Sequence, residues 1–203
     1  MKQVVNDSVG VSTAIKSFKN GGVIIFPTDT VYGIGCNPYD ENAVKRIYEL
    51  KNRDSTKPLP ILGYSKQVLE NIVEFDGIAN TIAEKFWPGR LTIILPLKDD
   101  RLKIVSNGEN SLAVRVPNNK CILSLLKECE LIVGTSANIS GKEPFTDPQK
   151  LANEIPNCDV FVNDGKIHSG GASTIIEIVN QQIKILRSGD ISENDLVRIL
   201  WIY

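Results

Sequence analysis

The 203-residue sequence is poor in the residues that many enzymes use for acid–base and metal chemistry. It contains one histidine, His168, which excludes a metal cage of several histidines and argues against a His-based catalytic triad. Its four cysteines, Cys36, Cys121, Cys129 and Cys158, form no Cys-x-x-Cys pair. This spacing fits neither a zinc ribbon nor the disulfide framework of a small secreted domain. We expect the cysteines to be reduced and buried.

The sequence also lacks an excess of charge and a long apolar run. Its 23 Lys and Arg residues against 24 Asp and Glu residues give a net charge of −1, which argues against a broad nucleic-acid-binding face or a polybasic membrane anchor. No apolar run approaches the ~18 residues that span a bilayer, and the N-terminus has no apolar signal-peptide segment. We therefore expect a cytoplasmic protein.

Helix and strand patterns alternate along the chain, which predicts an α/β fold. The last two strands are predicted to form a hairpin, so we expect a single domain over residues 1–203 whose twisted sheet, flanked by helices, mixes parallel and antiparallel strands. Helices are predicted over 9–19, 40–50, 65–71, 76–86, 119–129, from Asp147, and from Ser192 to about Trp201. Strands are predicted over 23–26, 59–62, 91–95, 112–116, 131–133, 160–162, 173–179 and 183–186.

Two common nucleotide-binding fingerprints are missing. Neither Gly141-Lys142-Glu143 nor Gly165-Lys166-Ile167 belongs to a Walker A loop, and Gly33-Ile34-Gly35 lacks the third glycine of the dinucleotide-binding loop. Any nucleotide site must therefore be built from other segments.

Two polar segments early in the chain are candidates for such a site. Thr28, Asp29 and Thr30 lie on a turn after a predicted strand; they could bind a ligand or only satisfy loop amides. Residues 51–59 follow a predicted helix and contain three cations: Lys51, Arg53 and Lys57. These cations could complement the helix dipole or form a polyphosphate site.

Two more candidates come from the second half of the chain. Residues 134–141 are small and rich in hydroxyl groups and follow a predicted strand, so their amides and hydroxyls could hold phosphate. Arg115 lies within an apolar strand, where an arginine is costly unless it is paired or binds an anion. Arg187 lies at a strand end and could be a ligand or a surface residue.

Several stretches of the chain occur together in a recognisable order. They are Phe26-Pro27-Thr28-Asp29-Thr30-Val31-Tyr32-Gly33, Lys51-x-Arg53, Lys57-Pro58-Leu59, Trp87-Pro88-Gly89, Leu91-Thr92, Val114-Arg115-Val116-Pro117, Ser136-Ala137-Asn138-Ile139-Ser140-Gly141, Gly170-Gly171-Ala172-Ser173-Thr174 and Ile185-Leu186-Arg187-Ser188-Gly189. In this order, over about residues 21–189, the chain resembles the YrdC family of threonylcarbamoyl-AMP synthases.

The resemblance implies a reaction of L-threonine, bicarbonate or CO2, and ATP that yields threonylcarbamoyl-AMP and diphosphate. This product serves the t6A modification of tRNA. The enzyme is expected to act on tRNA only indirectly, through the downstream threonylcarbamoyl-transfer machinery. Mg2+ is expected on the ATP phosphates, without an assigned protein ligand. Since the carbamate of threonine is itself the nucleophile, the enzyme needs no histidine; it gathers anions, excludes water and neutralises the charge on the diphosphate.

The resemblance also assigns site residues. Thr30 and Arg115 match threonine-binding positions, with Arg115 on the carboxylate, and Lys51 and Arg53 match the catalytic cations. The nucleotide contacts are expected from Lys51, Arg53, Lys57, Ser111, Ser136, Asn138 and Arg187. Further motif members that could contribute are Thr28, Thr135, Ser140, Ser173 and Thr174.

The chain departs from the family pattern at three positions. Asp54 stands where proline is common, which predicts a more mobile loop, and Arg90 stands where relatives often have proline. Leu62 stands where some members have a histidine near threonine, so that contact is not expected here. Because the chain ends at Tyr203, we expect the short, single-domain form.

Three alternative functions remain open from the sequence. One is an RNA-binding or ribosome-maturation module of the same fold, which the net charge of −1 disfavours. Another is a carbamoyl-adenylate former of hydrogenase maturation, which normally belongs to a much longer chain with acylphosphatase-like and zinc-finger segments. The third is an inactive paralogue, which the intact stretch from Ser136 to Gly141 disfavours.

Overall fold

The computed structural model describes residues 1–155, 157–168, 171–179 and 182–200. Its helices are α1 Ser8–Lys19, α2 Glu41–Lys51, α3 Lys66–Leu69, α4 Gly77–Phe86, α5 Lys120–Cys129, α6 Pro148–Glu154 and α7 Glu193–Leu200. Its strands are β1 Lys2–Val5, β2 Ile24–Phe26, β3 Gly33–Gly35, β4 Ile61–Gly63, β5 Leu91–Pro96, β6 Ser111–Arg115, β7 Leu131–Val133, β8 Thr135–Ser136, β9 Val160–Asn163, β10 Thr174–Val179 and β11 Gln182–Arg187. The predicted α/β class is confirmed. The single domain stays a prediction.

The described strands form two mixed sheets, where the sequence predicted one. One sheet has the order β1-β9-β2-β3-β8 and the other has the order β11-β10-β5-β6-β4-β7. Gly134 alone separates β7 from β8, so the chain passes from one sheet to the other at this residue. A Cβ atom at Gly134 would come within 2.4 Å of the Leu62 side chain, so the close approach of the two sheets requires glycine here.

The predicted hairpin near the C-terminus is confirmed. Strands β10 and β11 pair antiparallel, whereas β10 pairs with β5 in parallel, which makes this sheet mixed. The predicted end of the last helix near Trp201 lies outside the described residues.

Helix α2 places two of the predicted site residues. The carboxylate of Asp40 accepts hydrogen bonds from the N–H groups of Asn42 and Ala43, both at 3.0 Å, which begins the helix as predicted. The helix ends at Asn52, whose φ of 46° is left-handed, so the chain turns sharply between Lys51 and Arg53. The two cations of the Lys-x-Arg stretch therefore leave the helix end in different directions.

The cysteines belong to the apolar interior, as predicted. None of the four, all within described ranges, is paired; Cys36, Cys121 and Cys158 are buried and Cys129 is half-buried. Burial raises the pKa of Cys36 to about 12, which makes this thiol unreactive at neutral pH. Among the described residues, no helix has the length and apolar character needed to cross a membrane.

Candidate active site

A cavity of 390 Å³ lies between the two sheets, and both sheets contribute to its wall. Its charged lining residues are Arg53, Arg115 and Arg187, and none of the described residues that line it is acidic. The rest of the wall is small, hydroxyl-bearing or apolar: Phe26, Thr28, Thr30, Val31, Gly33, Pro58, Pro60, Leu62, Thr92, Ile94, Ala113, Gly134, Thr135, Ser136, Pro144, Ala172, Ser173, Ile175 and Leu186. Three cations without a lining carboxylate favour an anionic ligand.

Arg115 is held in the wall by three hydrogen bonds. Its Nε donates to the carbonyl of Gly89 at 2.8 Å, and its guanidinium donates to the Thr30 hydroxyl at 3.3 Å. Its third bond goes to the Asp29 carboxylate at 2.6 Å. The Arg115 and Asp29 side chains are 7% and 9% exposed. Burial lowers the pKa of Arg115, and Asp29 opposes this shift, so the guanidinium stays charged.

The turn after β2 is closed by the side chain of Thr28. Its hydroxyl donates to the carbonyl of Val31 at 2.6 Å and accepts from the N–H groups of Thr30 and Val31. The hydroxyls of Thr28 and Thr30 are 2.9 Å apart. Thr28 therefore satisfies loop amides, and Thr30 lies where the turn meets Arg115.

Lys51 lies beneath the site and does not line the cavity. Its side chain is buried, with the residue 1% exposed, and its Nζ donates to the carbonyls of Ser136 at 2.5 Å and Asn138 at 2.7 Å. The sharp turn at Asn52 leaves Lys51 under the loop that follows β8. The predicted contact of Lys51 with the triphosphate stays a prediction.

Burial, reinforced by the nearby charge of Arg53, lowers the pKa of Lys51 to about 8 from an ordinary value of 10.5. Between these two pH values the unfolded chain retains a proton that the folded chain has lost, so raising the pH favours the folded state. A neutral amine still has two N–H groups, enough for the two carbonyls.

We expect the free energy of unfolding of the unmodified chain, relative to Lys51→Met, to increase from pH 8 to pH 10.5 by up to about 3 kcal/mol. Urea unfolding of both chains at several pH values measures this difference. The buried cysteines are common to both chains and cancel. Parallel pH profiles would show that Lys51 titrates as it does in the unfolded chain.

The amides of residues 134–141 are mostly used inside the fold. The N–H groups of Gly134, Ala137 and Ser140 donate to the carbonyls of Pro60, Tyr32 and Lys51. Thr135 and Ser136 pair with β3. These three amides are therefore not available to a phosphate. The members of this segment that line the cavity are Gly134, Thr135 and Ser136.

Asn138 also acts on the fold of this loop. It is 5% exposed and is absent from the cavity lining. Its side-chain N–H groups donate to the carbonyls of Ile139 at 2.9 Å and Lys142 at 2.6 Å. Four of the residues predicted to contact the nucleotide thus form two pairs. Arg53 and Ser136 line the cavity, whereas Lys51 and Asn138 hold the loop.

Arg53 lies at the mouth of the cavity, and its guanidinium donates to the carbonyl of Pro58 at 2.9 Å. Lys57 is exposed and does not line the cavity. The carboxylate of Asp54 accepts from the N–H of Thr56 at 2.9 Å and from its hydroxyl at 2.8 Å. These bonds lower the pKa of Asp54 and close a turn where the sequence predicted a looser loop.

Arg187 and Ser173, from the C-terminal part of the chain, also line the cavity. Arg187 donates to the carbonyl of Ser173 at 3.0 and 2.8 Å and to its hydroxyl at 3.0 Å. The Ser173 hydroxyl also lies 2.9 Å from the hydroxyl of Thr92. Burial, followed by the charge of Arg115, lowers the pKa of Arg187. Both arginines line the same cavity.

Several other residues singled out from the sequence do not line the cavity. Ser111 lies at the opposite end of β6 from Arg115, and Ser140 does not line the cavity either. Thr174 is fully buried and exchanges hydrogen bonds with Ile191. Arg90 is ion-paired with Asp190 outside the lining.

Sequence reasoning missed roles for two residues of this site. Thr92 lines the cavity and meets Ser173, and Asp29 holds Arg115. Both residues belong to the stretches by which the chain resembles the YrdC family. A polar side chain within or next to a predicted buried strand could have indicated a role for each. Leu62, which replaces a histidine of some relatives, lines the cavity as an apolar residue.

A larger groove of 990 Å³ runs between α1 and α5. Its lining has three lysines, Lys16, Lys19 and Lys120, and two acidic residues, Asp7 and Glu128. None of these belongs to the matching stretches, and charges of both signs give no preference for an anion. The smaller cavity, with its three arginines, is therefore the candidate active site.

The fold and the site define a two-sheet α/β protein with an arginine-lined cavity between its sheets. The chain belongs to the family of Sua5, YciO and YrdC proteins: the family model described as "Telomere recombination" matches residues 16–189. The threonylcarbamoyl-AMP synthase of Pyrococcus abyssi is 35% identical over 90% of this chain and 54% of that protein. The threonylcarbamoyl-AMP synthase of Bacillus subtilis is 34% identical over 94% of this chain and 56% of that protein.

A solved structure supports the same assignment. The crystal structure of P. abyssi Sua5 complexed with L-threonine superposes with a TM-score of 0.91 at 32% identity. It covers 98% of this chain and 59% of that one. The chain thus spans just over half the length of these relatives.

Proposed function

We propose that this chain makes threonylcarbamoyl-AMP and diphosphate from L-threonine, bicarbonate or CO2, and ATP, as a nucleotidyltransferase. The observation that carries the proposal is the cavity lined by Arg53, Arg115 and Arg187 and by no acidic residue among those described. The names of the two synthase relatives and the threonine-bound Sua5 structure support the choice of substrates. The product would serve the t6A modification of tRNA in the cytoplasm.

Threonine would bind beside Arg115 and Thr30. A guanidinium can take a carboxylate through two parallel hydrogen bonds, and the hydroxyl of Thr30 lies within 3.3 Å of that guanidinium. Such binding would hold the substrate amine at a fixed place in the cavity. The amine then adds to CO2 and loses a proton, which yields a carbamate.

The polyphosphate of ATP would bind toward Arg53 and Arg187, with the lining residues Thr135 and Ser136 as hydroxyl donors. A carbamate oxygen attacks the α-phosphorus of ATP, and the bond from that phosphorus to the β-phosphate bridging oxygen breaks, so diphosphate leaves. The two arginines would neutralise the charge that develops on the leaving group. The reaction needs no side-chain nucleophile, and the exposed His168 lies outside the cavity lining.

Magnesium would accompany ATP. Within the described ranges, the chain has no group of three or more His, Cys, Asp or Glu residues that could hold a metal ion. The donor set of the cavity wall therefore suits Mg2+ only as an ion on the phosphate oxygens, where it would share charge neutralisation with the arginines.

Purified protein with L-threonine, bicarbonate, ATP and Mg2+ is expected to release diphosphate and to form threonylcarbamoyl-AMP, because the cavity holds the reacting anions together. Diphosphate release is followed by a coupled assay and the adenylate by mass spectrometry. Parallel reactions lack threonine or bicarbonate. Diphosphate release that does not depend on threonine, or no release above background, would contradict the proposal.

A further inference from the structure

Asp29 is an acidic residue that accepts a hydrogen bond from Arg115 at 2.6 Å and does not itself line the cavity. We propose that Asp29 is a positioning residue that neutralises Arg115 and so reserves this part of the cavity for the carboxylate of threonine, leaving polyphosphate to Arg53 and Arg187. The inference rests on the proposed function and adds to it the residue that keeps its two subsites apart.

The Arg115 guanidinium is held in a fixed orientation. The Asp29 carboxylate, the Gly89 carbonyl and the Thr30 hydroxyl hold the Arg115 guanidinium from three sides, at 2.6, 2.8 and 3.3 Å. These bonds use three of the five N–H groups of a guanidinium. The plane of Arg115 is therefore fixed before any substrate binds, which reduces the entropic cost of binding a carboxylate in one orientation.

Asp29 also changes the net charge of the cavity wall around Arg115. Arg115 already lowers the pKa of Arg187 through their like charges, so without Asp29 these two cations and Arg53 would form one continuous polyanion site. A triphosphate carries more negative charge than a carboxylate, and it would bind there in preference to threonine. The Asp29–Arg115 pair has no net charge, and it therefore suits an amino acid, which is also neutral overall.

One carboxylate oxygen of Asp29 makes no hydrogen bond to the described residues. This atom, Oδ2, is buried. Burying such an oxygen is costly, and a group that bears this cost usually has a functional reason. Neutralising Arg115 at the wall of the cavity is such a reason.

The test measures threonine binding by isothermal titration calorimetry, with and without inorganic tripolyphosphate as the polyanion probe. In the unmodified chain we expect tripolyphosphate to leave the Kd of threonine unchanged. In Asp29→Asn, which keeps the size of the side chain, we expect tripolyphosphate to compete with threonine and to raise its apparent Kd by about tenfold, because Arg115 then carries a charge that no carboxylate neutralises.

The matched control is Asp99→Asn. Asp99 is also largely buried, at 11% exposure, and is bonded to an arginine, Arg101, at 2.7 Å, but neither residue lines the cavity. We expect this control to bind threonine as the unmodified chain does. A loss of fold stability alone would affect both variants, whereas competition by tripolyphosphate is expected only in Asp29→Asn.

The possible outcomes separate the two levels of the proposal. If threonine binds to the unmodified chain and Asp29→Asn behaves like Asp99→Asn, the role given to Asp29 is wrong and the proposed function stands. If tripolyphosphate displaces threonine from the unmodified chain, the division is wrong whether or not the variant folds. If the unmodified chain binds no threonine, both proposals are wrong.

Discussion

Replacement of Arg53 by alanine is expected to lower the rate of threonine-dependent diphosphate release by about 100-fold or more, while the fold stays intact. The guanidinium lies in the cavity wall and makes its shortest hydrogen bond, at 2.9 Å, to the carbonyl of Pro58 at the partly exposed mouth. The loss of this bond is expected to cost about 1 kcal/mol of unfolding free energy. The loss of the charge removes stabilisation that the departing diphosphate needs.

The measurement is kcat at saturating ATP and threonine, with a urea unfolding curve for each protein. Arg46→Ala is the matched control, because Arg46 lies on α2, the helix that ends just before Arg53, and is ion-paired with Asp159 at 3.0 Å, away from the cavity lining. We expect it to keep its rate. An unchanged rate in Arg53→Ala would remove Arg53 from the site, and an equal loss in both variants would place the effect in the helix.

The sequence was sufficient to predict the lining cations because each lies at the end of an element or just after it. Arg53, Arg115 and Arg187 were all candidates, and the structure places all three around one cavity. The sequence did not show the contacts that the Lys51 side chain makes within the fold, because the direction of a long side chain at a helix end depends on the left-handed turn at Asn52 and on the loop above it. Neither leaves a signal in residue spacing.

The division into two sheets was missed for a related reason. Strands β3 and β8 have three and two residues, too few to show the alternation by which a strand is recognised. Yet these two strands pair with each other, which makes the start of a possible phosphate loop part of a sheet. Residue spacing did not indicate that this loop begins inside a sheet.

Replacement of Lys51 by methionine is expected to lower kcat about as much as Arg53→Ala, by about 100-fold, although Lys51 does not line the cavity. Methionine fills a similar volume but donates no hydrogen bond, so the carbonyls of Ser136 and Asn138 lose the amine that holds them at 2.5 and 2.7 Å. Ser136 then leaves its place in the cavity wall. Small displacements of this kind can cost large factors in rate.

The two variants should differ in how the loss arises. In Lys51→Met the threonine Kd is expected to stay near that of the unmodified chain, because Arg115 and its partners are untouched, while amide hydrogen exchange should become faster at Ala137 and Ser140, whose N–H groups are bonded to Tyr32 and Lys51. Lys45→Met, an exposed position on the same helix, is the control for both measurements. If Lys51→Met loses activity with no change in exchange at these two amides, Lys51 touches the substrate after all, and the loop is held by Asn138 alone.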